Sequence, residues 1–345
     1  MAVTNAAPDT ASPAGQSRPD CLMRRISARI ERWPVAGAFT IARGAKTHVD
    51  VVVAEIEEEG VVGWGEATPI YYHGETAKSV STEIEQTRFA NRADLQKQLD
   101  RGAARNALDA ALWDLEAKQS GVPAWQLAGL DRPGPLLSVF TISLAEPEKM
   151  EADARAAAAR HSLLKLKLAG EGDGERVAAV RRGAPHARLI VDANEAWTGR
   201  DVAAQAAALL PFGVELIEQP VKAGEDHLLD GVDSPIPLCA DESCQDRADL
   251  ARCIGRYAAI NIKLDKAGGL TEALLLAEAA RAAGTEIMVG CMLSTSLGIA
   301  PAFLLAQQAR WVDLDGPLLL ARDREAGFRF GGGMIESSQT IWGAG

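Results

Sequence analysis

Long apolar runs are missing from this 345-residue sequence: it holds no stretch of about 18 consecutive apolar residues, so no transmembrane helix is expected. Cysteine is scarce. The five thiols (Cys21, Cys239, Cys244, Cys253 and Cys291) are odd in number and form no CxxC, which argues against a disulfide framework or a zinc site and fits a reducing cytoplasm. The five histidines are scattered and make no HExxH cluster. Positive charge is outnumbered, with 36 Lys and Arg against 47 Asp and Glu. A chain of net charge −11 gains nothing from counterion release, so nucleic acid is not an expected partner, and neither is a membrane. Residues 1–22 are rich in Ala, Pro, Ser, Thr and Asp and lack the apolar segment of a secretory signal. They read as a disordered tail, with Met23 as a candidate functional start.

What is present is a core-forming composition, 47% hydrophobic and 24% charged, in a length that suits one large domain and a smaller companion. Two regimes follow the tail. Met23–Trp33, His48–Glu57 and Val61–Glu66 read as an antiparallel meander, turned at Glu57-Glu58-Glu59-Gly60. Helices come next, and Ala103–Gln119 has strong Ala/Leu periodicity. From about residue 136, short apolar strands alternate with Ala-rich helices. Strand starts fall near Leu137, Leu163, Arg188, Val214, Pro237, Ala259, Glu286 and Trp311, which by subtraction are 22 to 27 residues apart. That length holds one strand, one helix and two loops, the crossover that parallel strands require. Eight such units predict a TIM-like barrel. A doubly wound sheet would want a glycine-rich turn after its first strand, and Phe140-Thr141-Ile142-Ser143-Leu144 supplies none.

Barrels of this kind carry their chemistry at the C-terminal ends of the strands. The second strand reads Leu163-Leu164-Lys165-Leu166-Lys167-Leu168, so Lys165 and Lys167 share one face. On an ordinary strand that face is solvated, but a barrel strand is wet only at its mouth. Strands three, four and five end on Asp192, Glu218 and Asp241. Singly, each is best explained as a turn or helix cap. Together, on strands about 4.8 Å apart, they would repel and protonate unless a cation joined them. Hard oxygen donors without a soft ligand select magnesium, with manganese as a substitute. The sixth strand ends on Lys263, across the barrel from the second, and a neighbouring cation would favour its neutral, basic form. Lys266 follows in a loop and fits a capping role as well as a functional one. The parts suit one reaction: a metal binds a substrate carboxylate and stabilises the enediolate, while lysines on opposite faces remove and return the α-proton.

Lys165-Leu166-Lys167, Val191-Asp192-Ala193-Asn194, Ile217-Glu218-Gln219-Pro220, Ala240-Asp241-Glu242-Ser243 and the run from Asn261 to Gly269 resemble the enolase superfamily, in its muconate-lactonising branch. The resemblance spans Met23 to the end. It implies an α/β chain with a TIM-like (β/α)7β barrel over residues 131–322, an N-terminal α+β capping domain over 23–130, and a segment 323–345 that returns to the cap. It implies one magnesium per subunit on Asp192, Glu218 and Asp241. Lys167 and Lys263 would then be acid/bases, with Lys165 on the substrate carboxylate. Mandelate-racemase-like members use a late histidine, and none follows His227 here.

For the substrate, Asp313 and Asp315 share a face of the eighth strand. A turn explains Asp315 alone; the pair makes sense if it holds a substrate ammonium. This pattern resembles that of dipeptide epimerases, closest in texture to the L-Ala-D/L-Glu type of cell-wall peptide recycling. Thr141, at the end of the first strand, joins the expected substrate-binding set. Arg43, in the cap's first hairpin, is a candidate for a side-chain carboxylate, or else a surface arginine. Tyr71, Tyr72 and His73 either line the pocket or pack the cap. The expected partner is a small dipeptide, and barrels of this kind often associate into homo-oligomers. Two alternatives stay open: a cycloisomerase or o-succinylbenzoate synthase of the same branch, whose substrates carry no ammonium, and a catalytically idle binding barrel.

Overall fold

Strand β2 (Gly44–Glu58) is rich in β-branched residues and lies between β1 (Arg25–Ile41) and β3 (Val61–Ala67) in an antiparallel sheet. The turn between β2 and β3 places Glu59 at φ 54° and Gly60 at φ 78°, the two left-handed residues of a tight hairpin. Alternation along β2 decides what each face covers. Val52, Ala54 and Ile56 pack on Ile84, Leu108 and Leu112 of the cap helices, while Val49 and Val51 meet Leu293 and Leu320 from the barrel. The helices are α1 (Ala77–Gln86), α2 (Arg92–Gln98) and α3 (Ala103–Ser120). The structure, a computed structural model, describes residues 24–41, 44–337 and 340–344. The expected tail 1–22, Met23 and Arg43 lie outside the described residues.

After Leu136–Leu137 (β4) come eight parallel strands: β5 (Phe140–Ile142), β6 (Leu163–Lys167), β7 (Arg188–Asp192), β8 (Val214–Glu218), β9 (Leu238–Ala240), β10 (Ala259–Lys263), β11 (Glu286–Gly290) and β12 (Trp311–Asp313). Each pairs with its sequence neighbour. At the closing seam Val139 N donates to Val312 O over 2.9 Å and Leu314 N to Ser138 Oγ over 3.0 Å, which nearly completes the barrel. The expected first strand is corrected here. Leu137 does not begin the barrel strand; it pairs antiparallel with β14 (Met334–Glu336), which also pairs with β13 (Arg329–Gly331). The chain then reaches α3, where Trp342 Nε1 donates to Ala110 O and Gly343 N to Asp114 Oδ1.

Inward side chains recur every second residue, so the barrel fills in layers. Its lower layer is apolar: Val139, Leu163, Ile190, Leu216, Cys239, Ala259, Met288 and Trp311 form one buried cluster. Two residues further along each strand, the same face carries Thr141, Lys165, Asp192, Glu218, Asp241, Asn261, Gly290 and Asp313. The strands thus change from apolar to polar in one step of the pleat, at the mouth that the cap covers. Among the described residues no helix is long and apolar enough to cross a membrane.

Candidate active site

Register puts Lys167, Asp192 and Glu218 in one row across β6, β7 and β8, and Lys263, Gly290 and Asp313 in another across β10, β11 and β12. Gly290 leaves the second row open: a Cβ there would meet Asn261 Oδ1 at 2.7 Å and the Lys263 Cε at 3.1 Å. Beyond the strand ends Asn194, Glu195 and Gln219 adopt φ values of 43°, 70° and 38°, an uncommon conformation for side-chain-bearing residues. The bends let Asn194 N donate to Asp192 Oδ1 and aim Gln219 backwards as a strut. Gln219 Oε1 accepts from the amides of Asp241 and Ser243, and its Nε2 donates to Ser243 Oγ. Sequence reasoning assigned Gln219 no role, since a residue past a strand end has no face to be read.

Lysines and carboxylates interleave. Lys165 lies 2.5 Å from Glu218, 2.6 Å from Asp313 and 3.4 Å from Asp192; Lys167 lies 2.6 Å from Asp192. Lys263 lies 2.7 Å from Asp241 Oδ2, while Lys266 takes Asp241 Oδ1 at 2.5 Å. All four lysines are buried. Burial alone would raise the Asp192 carboxyl, but Lys167 and Lys165 outweigh it and hold the group at about 2. Glu218 goes the other way: burial and the nearby Asp192 charge push it up to about 7 against the pull of Lys165. Asp241 is held well below the carboxylate range, because Lys263 and Lys266 override its burial. Burial depresses the Lys263 pKa, yet Asp241 and Glu218 outweigh burial and raise it well above the ordinary lysine value. The protein groups alone thus favour the ammonium form, and the neutral form expected for Lys263 would depend on a neighbouring metal ion.

Asp192, Glu218 and Asp241 fit a hard divalent cation in kind. All donate oxygen, and Glu218 Oε2, Asn194 Oδ1 and Asn261 Oδ1 are buried without a hydrogen-bond partner. Glu218 Oε2 is close to Lys165 but not aligned for a hydrogen bond. As they stand, the carboxylates turn to ammonium groups, and among the described residues no three Asp, Glu, His or Cys side chains converge on one point. The Cys239 thiol, one layer down in the apolar cluster, is kept protonated by burial and by Glu218 and Asp241, so it is no thiolate ligand.

Lys167, Lys263, Asp241, Thr141, Asp313 and Asp315 line one cavity of about 220 Å³. Asp313 is engaged by Lys165, and Asp315 Oδ2 accepts from the Thr141 amide over 2.7 Å. Burial and Asp313 push Asp315 up to about 7. Tyr71 and Tyr72 line the cavity, and the ring of His73 packs edge-on against Tyr72. The cap supplies a cation that sequence reasoning missed. Lys46 lines the cavity, 5.3 Å from the Tyr71 ring, and takes no carboxylate partner among the described residues. Burial lowers its pKa. Its signal was a basic residue three positions after Arg43 in the sequence.

Two family models match the chain. The mandelate racemase / muconate lactonizing enzyme N-terminal domain matches residues 23–129, and the enolase C-terminal domain-like model matches residues 149–337. The chain is 44% identical over 314 residues to the L-Ala-D/L-Glu epimerase of Escherichia coli K12, covering 89% of this chain and 98% of that one. It is 42% identical over 301 residues to an N-acetyl-D-glutamate racemase of a Pseudoalteromonas species, covering 85% and 95%. Among solved structures, an enolase family member from Agrobacterium tumefaciens with homology to dipeptide epimerases, holding sodium and L-Ala-L-Glu, superposes with a TM-score of 0.90 at 46% identity over 93% of this chain and all of that one. A dipeptide epimerase from Enterococcus faecalis complexed with magnesium and L-Leu-L-Tyr gives 0.82 at 30% identity, over 91% and 99%.

Proposed function

Because the chain belongs to the mandelate racemase / muconate lactonizing enzyme family of the enolase superfamily, we propose that it is a dipeptide epimerase acting on L-Ala-L-Glu and its neighbours. The observation that carries this reading is the pair of buried lysines, Lys167 and Lys263, held against different carboxylates in one cavity. One removes the α-proton of the C-terminal residue, and the other returns a proton to the opposite face. Lys165 steadies the substrate carboxylate. Asp192, Glu218 and Asp241 would hold the magnesium cofactor, which would supply a positive charge to stabilise the enolised carboxylate. Asp313 and Asp315 hold the dipeptide's ammonium group. Lys46, a partly buried cation awaiting an anion, supports an acidic C-terminal side chain. Four unpaired thiols support a cytoplasmic setting, and a role in recycling cell-wall peptides is proposed with it.

A second reading has one observation in its favour: Asp313 and Asp315 already have partners in Lys165 and the Thr141 amide, which suits a substrate without an ammonium. Incubation with magnesium in D₂O, read by mass spectrometry, separates the two. The expected result is a one-dalton gain in L-Ala-L-Glu, with deuterium at the α-carbon of Glu. Label in N-acetylglutamate instead would favour the second reading; label in neither acid, with magnesium bound, would leave an idle barrel or a cycloisomerase. In Asp313→Asn, kcat/KM for L-Ala-L-Glu is expected to fall roughly 100-fold, as for a desolvated charge pair losing one partner. An ammonium-free substrate would lose only what the Lys165–Asp313 pair contributes, a smaller drop.

A further inference from the structure

The outer helical layer of the barrel is interrupted beside β5. After β12 the chain makes the short helix Gly316–Leu319 and turns away, so among the described residues no full helix covers the seam between β12 and β5. A groove of about 1010 Å³ runs there. One wall is the first cap hairpin, through Val35, Ala36 and Phe39. The other is the start of the first β/α unit, through Ile142 and Leu144, with Leu318 and Leu319 between them. Leu144 N donates to Thr40 O over 3.0 Å, so hairpin and barrel are tied where the groove passes.

The groove adjoins the catalytic cavity. Phe39, Thr141 and Leu319 line both. The junction lies at a particular end of the site, because the Thr141 amide is the group that binds Asp315. On the epimerase reading, Asp313 and Asp315 hold the substrate's amino terminus, so the N-terminal residue sits at the groove's mouth. Val35, Ile142, Leu144, Leu318 and Leu319 give the groove an apolar wall beside Thr40 and Ser143, and His161, in the same lining, stacks on Phe140 with ring centroids 4.5 Å apart. Of the charged residues in the lining, Lys149 and Asp153 pair with each other, which leaves Arg160 as a cation at the far wall, away from the residues shared with the catalytic cavity.

We infer that this groove is the subsite for the side chain of the substrate's N-terminal residue, and that it admits large apolar side chains, not only the methyl of alanine. The inference rests on the epimerase reading. The catalytic cavity selects the C-terminal residue, while the interrupted helical layer leaves the N-terminal one loosely selected.

The test compares L-Phe-L-Glu with L-Ala-L-Glu in the magnesium-loaded full-length protein, by deuterium wash-in. Wild type is expected to give kcat/KM values for the two within about tenfold. Leu318→Trp and Ala36→Trp fill the groove from two walls, and neither residue lines the catalytic cavity. Each is expected to lower kcat/KM for L-Phe-L-Glu at least about tenfold and to leave L-Ala-L-Glu within about twofold. Two positions keep the test intact if one variant fails to fold, which circular dichroism reports. Rejection of L-Phe-L-Glu by wild type that turns over L-Ala-L-Glu would overturn the groove assignment alone, as would equal effects of both variants on both dipeptides. Label in neither dipeptide would overturn the epimerase reading itself.

Discussion

Lys266 is wholly buried, and its ammonium donates to Asp241 O and Oδ1, Asn261 O and Cys244 O. A side chain so placed ties the end of β9 to β10 and fixes which oxygen of Asp241 faces Lys263. Replacing it with methionine leaves Asp241 without one of its two counter-ions and strands three carbonyls in a dry interior. Lys266→Met is therefore expected to cost about 3–5 kcal/mol of stability, read from urea unfolding. An unchanged midpoint would return Lys266 to the status of a dispensable loop cap. The sequence left that choice open for a physical reason. Asp192, Glu218 and Lys263 could be read because strand parity fixes the inward face and barrel logic makes the strand ends important. Lys266 and Gln219 lie one to three residues past a strand, where the chain has turned and parity says nothing. Lys46 shows a different limit: it falls within β2, where parity fixes its face, but nothing in the sequence says that this face meets the cavity.

At the level of elements, β3 and α3 show how small residues set a packing distance. A Cβ on Gly63 would fall 2.1 Å from Ala111 O, and one on Gly65 2.1 Å from Ala107 O, so the helix backbone lies directly on the strand. Backbone cannot move aside as a side chain tip can. Gly65→Ala is expected to destabilise the cap by about 1–3 kcal/mol and lower the melting temperature. A melting curve that overlays the wild type would show that α3 can lift off β3 freely. The helix itself was legible from its Ala/Leu period, and the strand starts from their spacing. Leu137 misled because an apolar pair announces a strand without saying which sheet it joins. The polar face of α3 was also out of reach. Arg105, Asn106 and Asp109 look like a solvated stripe, yet they are buried against the barrel. Arg105 donates to Ala267 O and Gly268 O, Asn106 donates to Asp265, and Asp109 accepts from Thr271. Only the tertiary fold supplies those partners.

For the molecule as a whole, that seam joins cap to barrel through buried carboxyl groups, and this gives stability a pH dependence. Burial pushes Asp265 up to about 7, even though it accepts hydrogen bonds from the Thr68 amide and Asn106. Burial likewise pushes Asp109 up to about 6 against its bonds from Thr271. A folded-state pKa above the ordinary carboxyl value means that the native state binds the proton more tightly than the unfolded chain does. The associated stability is complete below the unfolded pKa and is lost as pH rises through the folded one. Between those limits each group contributes a slope of up to about 1.4 kcal/mol per pH unit. The cap–barrel seam is therefore expected to weaken from pH 5 to pH 8, with Asp265 still titrating after Asp109 has finished. Asp265→Asn keeps an oxygen to accept from Thr68 and Asn106 but carries no charge at any pH. It should leave stability nearly unchanged at pH 5 and raise it at pH 8, flattening the profile, as urea unfolding at the two pH values would record. If the variant instead loses stability at pH 8, the ionised carboxylate is the form that the seam prefers, and the cap is held on by charge rather than by a shared proton.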